Sequence, residues 1–209
     1  MKVLIVAEGK HERSGSLEML VRRLLSGNPQ FDMDDIHRRL SPLHGIGGFD
    51  YCKRALQWIQ EAQKLGYDAI VLLLDEDGYP DRIKGIDQAQ VRMSKTAMLP
   101  RALGVAIRAF DAWMLADEKA LSEVLNRIVS CQPSPEGIRD PKSVCQRLRD
   151  DSPECELGLA EMYALVAEKT RPSAAATQKG GVGESRVFRE TSAHKEVSHA
   201  LGIYRPVVG

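Results

Sequence analysis

The stretch that decides the fold covers residues 68–78 and reads Asp-Ala-Ile-Val-Leu-Leu-Leu-Asp-Glu-Asp-Gly. Its apolar run, residues 70–74, is too short for a useful helix and too unbroken for a strand with one solvent-facing side. The run therefore predicts a central strand that is covered on both faces, as in a parallel α/β sheet. The strand ends in acidic residues, and Gly78 then allows the backbone to turn away.

The acidic end of this strand is the first candidate for a functional site. On an extended chain the side chains of Asp75 and Asp77 would point to the same face, and that of Glu76 to the other. Two adjacent carboxylates raise each other's pKa, and a bound divalent cation offsets that repulsion. The spacing suggests a metal site. The alternative is that these acids only keep the strand end in water and cap the next helix.

A second apolar run, residues 2–7, also ends in an acid followed by glycine, Glu8-Gly9. If both runs are parallel strands of one sheet, their carboxyl ends lie at the same edge, where open α/β sheets bind ligands. Glu8, Asp75 and Asp77 are therefore predicted to converge.

The remaining segments predict alternating strands and helices, followed by helices alone. A short glycine-rich segment at 45–48 lacks the spacing of a nucleotide-binding loop and predicts a turn. The order indicates an α/β domain over residues 1–117 and a helical extension over residues 118–209 that packs on it. The predicted elements are an edge strand within 35–43, a strand at 102–109, and helices starting at Leu17 and over 51–65, 79–95, 110–117, 119–129, 141–149, 157–169 and 185–201.

The composition narrows the class of protein. The 209-residue chain has a formal net charge of zero, which argues against binding nucleic acid by bulk attraction. No apolar run is long enough for a membrane span or a signal peptide, so we expect a cytoplasmic protein without a membrane partner. The four cysteines are scattered, without a C-x-x-C pair, which makes a zinc ribbon improbable.

Three motifs together resemble a known fold. They are Glu8-Gly9-Lys10-His11-Glu12, the D-x-D at 75–77, and Phe-Asp-Ala-Trp-Met-Leu-Ala-Asp at 110–117. The pattern resembles the TOPRIM fold, and more closely a bacterial TOPRIM-like family of unknown function with E-G-x-x-E, an inner D-x-D and an acid-x-W-x-L-A-D helix. The family usually has glutamate before the tryptophan, where this chain has the shorter Asp111. The resemblance covers roughly the first 120 residues.

The resemblance implies a Rossmann-like sheet of about four mostly parallel strands flanked by helices. It also implies Mg²⁺ or Mn²⁺ as cofactor and phosphodiester chemistry, with Glu8, Asp75 and Asp77 as metal ligands. Glu12 and Asp111 would be further catalytic residues that complete a second metal site. Lys10, or a cation of the stretch 82–95, would neutralise the scissile phosphate.

Within that fold the chain is too short for a topoisomerase and lacks the template-binding modules of a primase. A nuclease acting on nucleic acid, with DNA expected, is what remains, and it could be the effector partner of an ATPase in an anti-phage defence system. Two rival hypotheses stay open. One is a non-catalytic subunit that binds a partner ATPase through its acidic edge. The other is a receiver-type phosphotransfer domain, which ranks last because residues 102–111 supply no lysine after the late strand.

Overall fold

The computed structural model describes residues 1–25, 27–38, 50–92, 98–152 and 156–170. The predicted loop at 45–48 and the predicted helix at 185–201 lie outside these residues. None of the helices described is long and apolar enough to cross a lipid bilayer. The strands are β1 (Lys2–Ala7), β2 (Gln30–Asp35), β3 (Ala69–Asp75) and β4 (Arg101–Ala106), and the helices are α1 (Leu17–Leu24), α2 (Tyr51–Lys64), α3 (Pro80–Val91), α4 (Phe110–Met114), α5 (Glu118–Val124), α6 (Pro141–Asp150) and α7 (Leu159–Lys169).

The four strands form one parallel sheet in the order β2-β1-β3-β4. The apolar run of residues 70–74 lies in β3, an interior strand, as its unbroken hydrophobicity predicts. Ala7 pairs with Leu73, and Asp75 pairs with Ala106. The carboxyl ends of β1, β3 and β4 are therefore neighbours at one edge of the sheet. The predicted α/β class, with a parallel sheet flanked by helices, is confirmed.

Side-chain alternation along the strands divides the core into two layers. Val3 and Ile5 of β1 and Leu73 of β3 pack with α1 and α4–α7 on one face. Leu4 of β1 and Leu72 of β3 pack with α2 and α3 on the other face. The helices after Asp117 thus share a hydrophobic core with the sheet, through buried side chains that include Leu121, Cys145, Met162, Tyr163 and Val166.

Two predicted elements differ from the structure. The edge strand is β2, over Gln30–Asp35, so the described part of the predicted range, residues 35–38, holds only its last residue, and residues 39–43 lie outside the described residues. Phe31 and Met33 alternate with polar residues and pack against the core, whereas the chain turns after Asp35, whose carbonyl accepts a hydrogen bond from Arg38 N at 3.0 Å. The strand expected at 102–109 is β4, which ends at Ala106.

The predicted helix at 110–117 is also shorter, because α4 ends at Met114. Asp117 is buried and caps the next helix, α5. Its Oδ1 accepts hydrogen bonds from Lys119 N and Ala120 N, both at 3.1 Å. The last acid of the tryptophan motif therefore has a structural role as a helix N-cap.

Candidate functional site

All five acids predicted as site residues stand at or just beyond the carboxyl edge of the sheet. Glu8 directly follows β1, Asp75 is the last residue of β3, and Asp77 lies two residues beyond it. Glu12 begins the π-helical turn (Glu12–Ser16) that leads into α1, and Asp111 lies in the first turn of α4. They form two groups, one toward α3 and one toward α1, α4 and α7.

The first group is Glu8 and Asp77, joined by Arg82 of α3. Arg82 Nη1 donates to Glu8 Oε2 at 2.8 Å, to Asp77 Oδ2 at 3.0 Å and to the Asp75 carbonyl at 2.6 Å. On its other oxygen, Glu8 Oε1 lies 3.2 Å from His37 Nε2. The Arg82 side chain is 9% exposed and that of Glu8 19%, so their ion pair is shielded from water, whereas Asp77 is 48% exposed. Glu8 and Asp77 therefore already have a cationic partner.

The second group is Glu12, Asp75 and Asp111. None of the three carboxylates forms an ion pair with a cation in the part of the chain that the structure describes. Burial raises the pKa of Asp75 to about 8, and repulsion from Glu12, Asp77 and Asp111 adds to the shift. A hydrogen bond of 2.8 Å from Phe110 N to Asp75 Oδ1 opposes it only in part.

Glu12 is the most deeply buried of the five acids, with 4% of the residue exposed. Burial raises its pKa to about 7, and repulsion from Asp111 and Glu8 contributes. Gly9 makes this position possible, since a Cβ at Gly9 would overlap the Glu12 carboxylate. The spacing Glu8-Gly9-x-x-Glu12 thus has a steric basis: glycine leaves the space that the second glutamate occupies.

Asp111 is held by a residue that sequence reasoning missed. The buried Tyr163 hydroxyl of α7 donates a short hydrogen bond to Asp111 Oδ1, and Cys145 Sγ of α6 lies 3.6 Å from the Asp111 carbonyl oxygen. The His11 ring packs edge-on against Tyr163, with 5.3 Å between ring centroids. Tyr163 lies on the apolar face of α7, where a phenol needs a polar partner, and that is the signal that could have found it.

We expect Tyr163→Phe to lower the free energy of unfolding by about 2 kcal/mol, because the Asp111 carboxylate loses a buried donor. Tyr67→Phe is the matched control, since the Tyr67 hydroxyl donates to Asp32 Oδ2 at 2.8 Å in an exposed pair. That control should cost less than about 1 kcal/mol. Urea denaturation of both variants measures the two values, and equal losses would mean that the Asp111 contact has no special weight.

The local geometry of the D-x-D differs from the prediction. β3 ends at Asp75, and Asp77 takes a left-handed backbone conformation with φ of 50°. Strand alternation therefore does not direct the Asp77 side chain; its ion pair with Arg82 does. Asp77 still lies close enough to Asp75 to raise its pKa.

The predicted cations divide in a similar way. Arg82 reaches the acids, whereas Lys84 and Lys10 are exposed and Lys95 lies outside the described residues. Across the described ranges, no three His, Cys, Asp or Glu side chains stand at metal-ligand spacing. The chain thus brings five acids to one edge of the sheet. Arg82 forms ion pairs with two of them, and the other three, of which Glu12 is buried, have no ion-pair partner among the described residues.

Carboxylates grouped in this way repel one another. Each carboxylate can supply oxygen ligands, and a positive ion would offset the repulsion that contributes to the raised pKa values of Glu12 and Asp75.

Comparisons of the chain with protein-family models, with curated proteins and with solved structures found no match.

Proposed function

We propose that this protein is a metal-dependent phosphodiester hydrolase, a nuclease of TOPRIM type that acts in the cytoplasm with Mg²⁺ or Mn²⁺. The observation that carries the proposal is the group formed by the buried Glu12 and the partly buried Asp75 and Asp111, whose carboxyls repel one another and have no ion-pair partner among the described residues. Grouping acids in this way is costly without a cation, and perturbed carboxyls of this kind cluster at functional sites.

The donor chemistry fits these two ions. Magnesium and manganese prefer carboxylate oxygens. The group that lacks a counter-charge is Glu12, Asp75 and Asp111, and these residues would hold the ion. This set differs from the predicted ligands Glu8, Asp75 and Asp77, because Glu8 and Asp77 already share Arg82. Since no three ligands stand at binding distance in the described chain, these side chains must turn toward one another when they bind.

The protein's own residues have distinct parts in this proposal. A bound divalent ion stabilises charge that develops on a phosphate and lowers the pKa of a coordinated water. Phe110 N and the Tyr163 hydroxyl orient the carboxylates of Asp75 and Asp111. Arg82 places a guanidinium at the same edge, where it can neutralise a phosphate oxygen if Glu8 or Asp77 releases it.

Cleavage by the purified full-length protein tests the proposal. Single- and double-stranded DNA and RNA would each be incubated with Mg²⁺, Mn²⁺, Ca²⁺ or EDTA. We expect cleavage with Mg²⁺ or Mn²⁺ and none with EDTA. The double variant Asp75→Ala/Asp77→Ala serves as the negative control. Undiminished cleavage by that variant, or cleavage in EDTA, would refute a metal-dependent reaction at this edge.

A second candidate is a non-catalytic subunit that binds a partner ATPase, such as one from an anti-phage system. Two observations favour it: Arg82 already forms ion pairs with Glu8 and Asp77, and no ready-made ligand set exists in the described residues. Substitutions in the acid cluster would then weaken the complex and leave no cleavage to lose. Size-exclusion chromatography of the purified protein with a candidate ATPase from the same genome distinguishes the two functions.

A further inference from the structure

Beside the acids lies an open cavity of about 600 Å³, between the N-terminal ends of α2 and α3. We call it the tyrosine groove, after Tyr51 and Tyr79, which line it together with Arg82, Lys84 and Gly85. Its volume is in the range that small ligands occupy. Because Arg82 lines the groove and also binds Glu8 and Asp77, the groove adjoins the proposed catalytic edge.

The groove carries an aromatic and cationic surface. The Arg82 guanidinium carbon lies 5.1 Å from the centroid of the Tyr51 ring and 5.4 Å from that of the Tyr79 ring. Gly85 allows α3 to approach α2 closely here, since a Cβ at Gly85 would lie 3.1 Å from both Cys52 N and Tyr51 Cβ. Tyr51 is therefore held in place by the packing of the two helices.

Tyr79 is not explained by packing. The residue is 63% exposed, so its ring does little to shield the Arg82 ion pairs from water. Lys84 is also exposed and makes no hydrogen bond or ion pair with another described residue. An exposed aromatic ring next to arginine, with a lysine lining the same cavity, is the combination that stacks a nucleobase and contacts its phosphate.

The charges of the groove favour a base over a phosphate track. Arg82 is already paired with Glu8 and Asp77, and the two lining acids, Asp50 and Asp81, equal the two lining cations, Arg82 and Lys84, in number. A strongly positive groove would suit a duplex backbone, whereas this groove offers ring faces with little net charge. A base inside a duplex could not reach Tyr79 without leaving its stack.

We propose that the tyrosine groove binds one unpaired nucleobase of a single-stranded nucleic acid. The base would stack on Tyr79, and an adjacent phosphate would lie at the sheet edge that carries the five acids. This inference rests on the proposed function and names its substrate class. Base stacking on an aromatic side chain is worth enough that removing the ring should weaken binding about tenfold or more.

The test measures binding without requiring cleavage. Fluorescence anisotropy would follow short labelled oligothymidine and oligouridine, with Ca²⁺ and again with EDTA, on the full-length protein. We expect Tyr79→Ala to bind about tenfold more weakly and Tyr79→Phe to bind like the wild type, because phenylalanine keeps the ring. Ile128→Ala, at a side chain that is 94% exposed elsewhere, is the surface control and should bind normally.

An abasic oligomer of the same length separates stacking from phosphate contacts. The wild type should bind the abasic oligomer as weakly as Tyr79→Ala binds oligothymidine. Lys84→Gln should weaken the binding of both oligomers by the same factor, because its contact is to phosphate. Unequal affinity for oligodeoxyuridine and oligouridine, which differ only in the 2′-hydroxyl, would assign the sugar. Equal binding by Tyr79→Ala and wild type, tight binding of the abasic oligomer, or no binding at all would overturn the proposal.

The two proposals fail separately. If Tyr79→Ala cleaved and bound nucleic acid like the wild type, the groove proposal would be wrong and the nuclease proposal would stand. If the wild type bound oligomers in a base-dependent way but never cleaved them, the groove proposal would stand and the nuclease proposal would be wrong.

Discussion

Asp75→Asn is expected to reduce metal-dependent cleavage by at least about 100-fold, because a metal site supplies several kcal/mol of transition-state stabilisation through its charged ligands. Asparagine has the same shape as aspartate and can still accept the hydrogen bond from Phe110 N. The substitution therefore removes the negative charge and a metal ligand while it keeps the local contact. Single-turnover cleavage of a labelled substrate in Mg²⁺, at saturating enzyme, measures the effect.

Glu76→Gln provides the matched control for this experiment. Glu76 lies between Asp75 and Asp77 in sequence, but its Oε2 accepts a hydrogen bond from Arg108 N at 3.2 Å, apart from both groups of acids. Its neutralisation should change the cleavage rate less than about twofold, since distant surface charges contribute little. If Asp75→Asn retained the wild-type rate, or if both variants lost activity alike, Asp75 would have no special role in catalysis.

The parts of the fold that the sequence predicts well are those set by local pattern. The five apolar residues of β3 and the run in β1 require a buried sheet, and the acids that follow them lie at its carboxyl edge. Helix α2 shows a similar local signal, because its apolar stripe ends before Gly66. These features depend on neighbours in sequence, so a single chain is enough to predict them.

The features that the sequence did not predict depend on contacts between distant residues. Tyr163 reaches Asp111 across 52 positions, and Arg82 reaches Glu8 across 74. Only the packing of α7 and α3 against the sheet brings these pairs together. That packing divides the acids into Glu8 and Asp77, which Arg82 joins, and the second group of Glu12, Asp75 and Asp111. The division changes which residues are proposed to hold the ion.

The second group of acids, through Glu12 and Asp75, should make the metal-free protein less stable as pH rises. The pKa of Asp75 is raised from an ordinary value of 3.8 to about 8, and that of Glu12 from 4.5 to about 7. Between these limits the folded protein binds more protons than the unfolded chain, so the free energy of unfolding falls as pH increases. The loss begins near pH 4 and is nearly complete above about pH 8.

Asp75→Asn should reverse most of this loss, because the amide cannot ionise. At pH 8 in EDTA we expect the variant to melt roughly 5–15 °C above the wild type, and at pH 4 the two should be nearly equal. A variant that loses activity but gains stability is typical of a strained functional site. Thermal unfolding followed by circular dichroism across this pH range, with Glu76→Gln as control, measures the difference.

Magnesium should restore the stability that ionisation removes. A ligand that binds only the folded state stabilises it in proportion to its affinity, and the ion binds the deprotonated carboxylates. Mg²⁺ should therefore raise the melting temperature of the wild type at pH 8, much less at pH 5, and hardly at all in Asp75→Asn. Two results would contradict this prediction: a wild-type stability that rises from pH 4 to pH 8 in EDTA, or a response to Mg²⁺ that does not depend on pH. Either would show that Glu12 and Asp75 do not titrate with raised pKa values and do not bind the ion when deprotonated.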